Sequence, residues 1–174
     1  KRWFYAMIYG AGNTLLGAIV NGIGSRPGKP STHVGGKSKK KFMKGLPAFG
    51  RLYDDIQKAG RERGHLLGID KRRLALPSLH SALNTLLQGA GALIMKKALV
   101  LCDRRLQAQG LAPGEDYEFV LNVHDEFQIE SLPDHADTCG QAIVDSIREA
   151  GEHFNFRCPL DGEYKVGDSW KETH

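Results

Sequence analysis

In the run VLNVHDEFQIE, residues 120–130, apolar and polar side chains alternate on both flanks of His124, Asp125 and Glu126. A period of two suits a strand with one buried face and does not suit a helix. The spacing therefore predicts strand–turn–strand over residues 117–131. Two readings of the interruption are open. Polar residues are common in turns, and Asp is a frequent turn residue. A tight hairpin, however, prefers Asn-Gly or Asp-Gly at its tip, and neither is present. Adjacent carboxylates instead offer hard oxygen ligands of the kind Mg²⁺ takes one or two at a time, with substrate phosphates completing its shell.

The rest of the chain is predominantly helical in pattern, which makes the expected class α+β. Residues 1–9, KRWFYAMIY, have helical spacing and end at GAGNT; LLGAIVNGIG reads as a second short helix. SRPGKPSTHVGG is rich in Pro, Gly and Ser and reads as a loop. Helices are expected near 36–45 and 47–61, separated at Pro47, and a hairpin is expected over HLLGIDKRRLAL with its turn at Gly68–Asp70. Pro77 and Ser78 open the longest element, an apolar pattern from Leu79 to about Gln109 that stops at Gly110. Gly89 and Gly91 inside it predict a bend or a close helix contact. Asp134 is expected to cap a helix running to about Ala150, and FRCPLDGEYKVGDSW to return to strand and loop.

Length and composition allow one sizeable core or two lobes in 174 residues, and the formal charge of +4 points only weakly to an anionic partner. Lysines concentrate at Lys37, Lys39, Lys40, Lys41 and Lys44, either as a solvated surface or as a contact for a nucleic-acid backbone. Cys102, Cys139 and Cys158 have no paired spacing, so reduced thiols in a cytoplasmic compartment are expected. No uninterrupted apolar run suggests a membrane span, and no signal peptide is visible. The chain opens on Lys1 and enters directly into an amphipathic pattern, like a piece of something longer.

Two further stripes carry chemistry. His80, Asn84 and Gln88 recur at i, i+4 and i+8 on one face of the long helix. A solvated face is usually built from Lys and Glu; two amides and a histidine suit hydrogen bonding to acceptors on base edges in a DNA minor groove. Lys1, Tyr5 and Tyr9 share one face of the first helix. They form either an ordinary core stripe or a cation for phosphate beside rings for a sugar or base.

In this order the three stripes resemble family A DNA polymerases, the class of bacterial DNA polymerase I and of small tailed phages. KRWFYAMIYGAG is similar to the end of the nucleotide-binding fingers helix, with its K-x₃-[FY]-x₃-YG pattern. LHSALNTLLQGAGALIMK resembles the helix that follows the primer–template minor groove, and VHDE the palm hairpin. The tail FNFRCPLDGEYKVGDSWKETH resembles the family's C-terminus, so the likeness spans essentially the whole chain and fits the phage branch best.

The resemblance implies a fingers portion over 1–76 and a C-terminal palm portion over 77–174. It implies that Asp125 and Glu126 bind metal, two Mg²⁺ ions in all, and that His124 steadies the primer terminus. Lys1 then meets the incoming triphosphate, Tyr5 its sugar and Tyr9 the templating base. Asn84 and Gln88 read the minor groove, with His80 at their head where many relatives carry Arg. Primer–template DNA and a deoxynucleoside triphosphate are the implied partners, in the cytoplasm of a phage-infected bacterium and away from membranes. The family's other metal-binding aspartate, an arginine one turn before Lys1, the thumb and any exonuclease domain belong upstream of Lys1. An upstream polymerase segment is therefore an expected partner. The rival expectation is a nucleic-acid-binding module that has kept this fold without its chemistry.

Overall fold

The computed structural model describes residues 1–22, 29–123 and 125–173. His124 and His174 lie outside the described residues, as does the start of the predicted SRPGKPSTHVGG loop. The chain forms two compact units, Lys1–Gly89 and Ala90–His174. Helices dominate, accompanied by two small antiparallel sheets, so the α+β expectation is borne out.

In the first unit, α1 (Arg2–Ile8), α2 (Asn13–Asn21), α3 (Lys29–Gly45) and α4 (Pro47–Arg63) precede a short hairpin, β1 (His65–Leu67) and β2 (Arg73–Ala75). α3 corrects the sequence reading: Lys29 to Gly36 are helical, although they were expected to be loop. Glycine explains the difference. A Cβ on Gly17 would sit 1.5 Å from the Ser31 carbonyl oxygen, and one on Gly35 would sit 1.8 Å from that of Asn13. The glycines that weaken helix propensity are thus the positions where α2 and α3 touch backbone to backbone, and packing overrides propensity. Pro47 occupies the start of α4, where its missing N–H costs nothing, and Gly64 ends that helix in the left-handed region at φ +70°.

The core of this unit is Ile56, Leu66, Ala82 and Leu83, with Ile8, Phe49, Tyr53 and Leu74 packed around it. Gly60 lets α4 approach the following segment, since a Cβ there would lie 2.7 Å from Leu76. Ser78 opens the long element as predicted: its hydroxyl accepts from the Ser81 N–H and caps a 3-10 turn at Leu79–Ser81.

α5 (Ala82–Ala108) follows without a break, and Gly110 terminates it at φ +89°. The close neighbour at Gly89 is a strand rather than a helix, Leu74 of β2 lying 3.2 Å from where its Cβ would be; nothing approaches Gly91 within 4 Å. By length and composition alone, Leu79–Ala108 is long and apolar enough to cross a membrane, with an 18-residue window of mean hydropathy 1.4. Core helices of soluble proteins meet the same criterion, and it assigns no membrane here.

The second unit is built on β3 (Tyr117–Val123), β4 (Glu126–Ser131) and α6 (Ala136–His153). Ile94, Met95, Ala98, Cys102 and Leu106 recur along one face of α5 and are buried, as are Tyr117, Phe127 and Cys139. The expected Asp134 cap is absent. A 3-10 turn at Pro133–His135 occupies its place, and His135 stands at the N-cap without a side-chain bond. The tail also differs from expectation: residues 157–169 contain no strand, and α7 (Trp170–Thr173) follows them. Tyr164 alternates with its neighbours as a strand residue would, but its ring lies flat on α6, with ring atoms 2.1–2.5 Å from where a Gly140 Cβ would be.

Candidate functional site

β3 and β4 pair in antiparallel register from Tyr117↔Ser131 to Val123↔Glu126, which places Asp125 at the turn between them. The pairing slips between Phe119 and Leu121, leaving Val120 as a bulge. Bulges raise local twist and re-aim the end of a hairpin. Below the tip, Tyr117 meets Phe119 edge-to-face and Phe119 meets Phe127 at a tilt, with ring centroids 5.9 and 6.0 Å apart. The Tyr117 hydroxyl donates to Asp103 Oδ1 at 2.6 Å, tying the base of the hairpin to α5. Burial, and then the Asp103 carboxylate, push that phenol up to about 12. The hairpin is thus anchored at its foot by aromatic packing and carries its carboxylates at its tip.

The two carboxylates differ. Asp125 is exposed at the turn, and Glu126 is half-buried. Glu126 Oε1 accepts from Gln128 Nε2 at 2.5 Å and from the Trp170 indole N–H at 3.2 Å. Asp125 and Glu126 are hard oxygen donors and fit Mg²⁺ as part of a ligand set. Among the described residues no group of three or more His, Cys, Asp or Glu is placed to hold a metal.

α1 presents the predicted stripe outward. Trp3 is held inward by a bond from its indole N–H to Ser38 Oγ at 3.1 Å and by contact with Phe42 at 5.3 Å. Met7 is buried. On the opposite face Lys1 is exposed, Tyr5 is 49% exposed and Tyr9 58%. This decides against a core role for the two tyrosines.

The stripe on the long helix meets the stripe on α1. Gly10, at φ +88°, packs on the backbone of His80, leaving no room for a Cβ: the His80 carbonyl oxygen would be 2.4 Å away. Gln88 Nε2 reaches the Tyr9 hydroxyl at 3.4 Å. His80 and Gln88 are exposed; Asn84 is half-buried, and its Oδ1 is buried with no hydrogen-bond partner among the described residues. Lys1, Tyr5, Tyr9, His80, Asn84 and Gln88 thus all belong to the first unit, and Asp125 and Glu126 to the second. The sequence predicted each stripe separately; the Tyr9–Gln88 contact had no local signal, because 79 residues separate the partners.

The lysine cluster divides. Lys37, Lys40, Lys41 and Lys44 are exposed along one side of α3, whereas Lys39 turns toward α4, its Nζ 2.9 Å from the Tyr53 hydroxyl. All three cysteines are free, Cys102 and Cys139 buried and Cys158 exposed, as expected of reduced thiols. Two clefts of about 390 and 320 Å³ run along α6 and the tail, and no residue of the β3–β4 hairpin lines either.

Comparison with known proteins places this arrangement. The model of "DNA polymerase family A" matches residues 1–172. The DNA-directed DNA polymerase of Enterobacteria phage T3 is 38% identical over the whole of this chain, and that of Escherichia phage T7 is 36% identical. DNA polymerase I of Aquifex aeolicus is 28% identical over 76% of the chain. The chain spans about a quarter of the length of the phage relatives, 26% of each. Among solved structures, the POL domain of Pol1 from M. smegmatis, in complex with DNA primer-template and dNTP, has a TM-score of 0.70 at 21% identity. That likeness covers 86% of this chain and 26% of the other, and it speaks for the fold. With a family match running almost from end to end and phage relatives well above 30% identity, the chain belongs to DNA polymerase family A.

Proposed function

We propose that this chain is the fingers (1–76) and C-terminal palm (77–174) part of a DNA-directed DNA polymerase, adding deoxynucleotides to a primer 3′ end. The observation that carries the reading is the tip of the β3–β4 hairpin, which offers exposed Asp125 beside Glu126 in a chain of this family. Asp125 and Glu126 would hold Mg²⁺ together with an aspartate from an upstream polymerase segment. When bound, such ions activate the attacking oxygen and stabilise the leaving pyrophosphate of an in-line displacement.

The remaining residues position the reactants. Lys1 neutralises the triphosphate, Tyr5 lies against the sugar and Tyr9 beside the templating base. His124 steadies the primer terminus. His80, Asn84 and Gln88 follow the minor groove, where amides sense acceptors common to every correct base pair. The site of action is DNA in the cytoplasm of an infected bacterium.

The test is Asp125→Asn in the polymerase that carries this chain. Asparagine keeps the shape and loses the charge. Turnover should fall by well over about 100-fold, since altering even an outer-shell partner of a metal ligand costs about 10- to 100-fold. Primer–template affinity should hold, because phosphate and groove contacts lie elsewhere. Near-normal turnover would return the hairpin to an ordinary turn and favour the non-catalytic module.

A further inference from the structure

The C-terminal tail is tied down at intervals along α6 and finishes on the hairpin. Leu160 packs against Gly151, where a Cβ would come within 2.9 Å. Arg148 Nε bonds Asp161 Oδ1 at 2.9 Å. The Tyr164 ring covers Gly140, and its hydroxyl donates to Asp137 at 3.3 Å. The Asp168 N–H then bonds Glu172 Oε2 at 2.8 Å, closing the entry to α7. From α7, Thr173 Oγ1 donates to Gln128 Oε1 at 3.2 Å, and the Trp170 indole N–H donates to Glu126 Oε1 at 3.2 Å. Gln128 itself donates to that same Glu126 oxygen.

Among the described residues, Glu126 is held both by its own strand and by the tail, while Thr173 fixes the Gln128 amide so that its N–H side faces the carboxylate. Indole is a donor only, so in this bond the Glu126 carboxylate oxygen is the acceptor. Trp170 remains 53% exposed, so burial of its ring does not account for its place here.

We propose that the C-terminal tail is a strap that orients the Glu126 carboxylate through Trp170, which makes Trp170 a positioning residue for the metal-binding hairpin. The inference rests on the proposed metal role of that hairpin. Partners of metal-binding carboxylates fix their orientation, and losing one weakens metal binding by about 10- to 100-fold.

The experiment is a double-mutant cycle in the polymerase that carries this chain, read by electron paramagnetic resonance of bound Mn²⁺ rather than by turnover. Trp170→Phe keeps an aromatic ring and removes the N–H; Glu126→Gln removes the charge it orients. Each single variant should bind Mn²⁺ about tenfold more weakly, and the double variant should bind no more weakly than Glu126→Gln alone. Unchanged Mn²⁺ affinity in Trp170→Phe would overturn the strap, as would effects that multiply in the double variant, because Trp170 would then act by packing alone. Asp125→Asn separates the two ideas. If it abolishes Mn²⁺ binding while Trp170→Phe does not alter it, the metal site stands and the strap falls. If neither Asp125→Asn nor Glu126→Gln changes Mn²⁺ binding, both fall.

Discussion

At the scale of single residues, exposure separates Tyr5 and Tyr9 from the structural aromatics beside them. Trp3 and Phe42 meet in the packing of α1 on α3, whereas Tyr5 and Tyr9 stand on the outer face. On the proposed reading Tyr5 faces the sugar of the incoming nucleotide. A normal nucleotide can satisfy one of its phosphate oxygens with its own 3′-hydroxyl; a dideoxynucleotide leaves that oxygen unpaired. The Tyr5 phenol supplies the missing donor, and Phe has none. A hydrogen bond to a charged group is worth roughly 1.5–3 kcal/mol, about ten- to a hundredfold in relative rate. Tyr5→Phe should therefore raise discrimination against dideoxynucleotides by that factor, read from steady-state competition with the matching deoxynucleotide. An unchanged ratio would remove Tyr5 from the sugar.

At the scale of elements, glycine decides where helices meet. Gly35 and Gly36 are neighbours in α3 with opposite surroundings. A Cβ on Gly35 would lie 1.8 Å from a backbone oxygen of α2, whereas one on Gly36 would lie 3.4 Å from the Asn13 side-chain amide. Alanine gains about 1 kcal/mol over glycine inside a helix, and forcing an atom into a packed contact costs about 1–3 kcal/mol, sometimes more. Gly35→Ala should accordingly destabilise by about 1–3 kcal/mol, while Gly36→Ala should be neutral or stabilise by up to about 1 kcal/mol. Urea denaturation of both variants measures this, and equal midpoints would contradict the close α2–α3 contact.

The same pair shows why some elements were legible in the sequence and others were not. The long helix, the 117–131 hairpin and the Pro47 boundary follow from periodicity, capping and φ restriction, all of which are local. Gly35-Gly36 reads locally as a breaker, and only the partner helix reveals it as a contact. Tyr164 and Val166 alternate like strand residues, yet what meets Tyr164 is the glycine face of α6. Asp134 looks like a cap but lies inside a 3-10 turn. Each site stripe was visible because its residues share one helix or one turn. The Tyr9–Gln88 and Trp170–Glu126 bonds were invisible because each joins distant segments.

At the scale of the whole molecule, the second unit carries a pH dependence of its own. Burial pushes the Cys102 thiol up from 9.0 to about 12, and burial with Asp103 pushes Tyr117 up from 10.0 to about 12. Both groups are neutral when protonated, and the folded state holds those protons more tightly. Well below pH 9 neither ionises in either state. Above it the unfolded chain releases protons that the folded chain retains, so stability falls as pH rises from 9 toward about 12. Urea midpoints at about pH 8 and about pH 10.5 should show the loss, and Cys102→Ala or Tyr117→Phe should flatten it. A midpoint that holds constant across that range would contradict the buried setting of both groups.

On the proposed reading Asp125 and Glu126 supply part of a metal site, and the phage relatives are about four times as long as the stretch they share with this chain. The most direct measurement is Mg²⁺-dependent primer extension on a defined template. It compares residues 1–174 alone, the upstream polymerase segment alone, and the two together or joined in one polypeptide. Template-directed synthesis by the combined segments, with none by either part, is the predicted result. Robust synthesis by residues 1–174 alone, or none by the combined segments, would contradict a metal site completed from upstream.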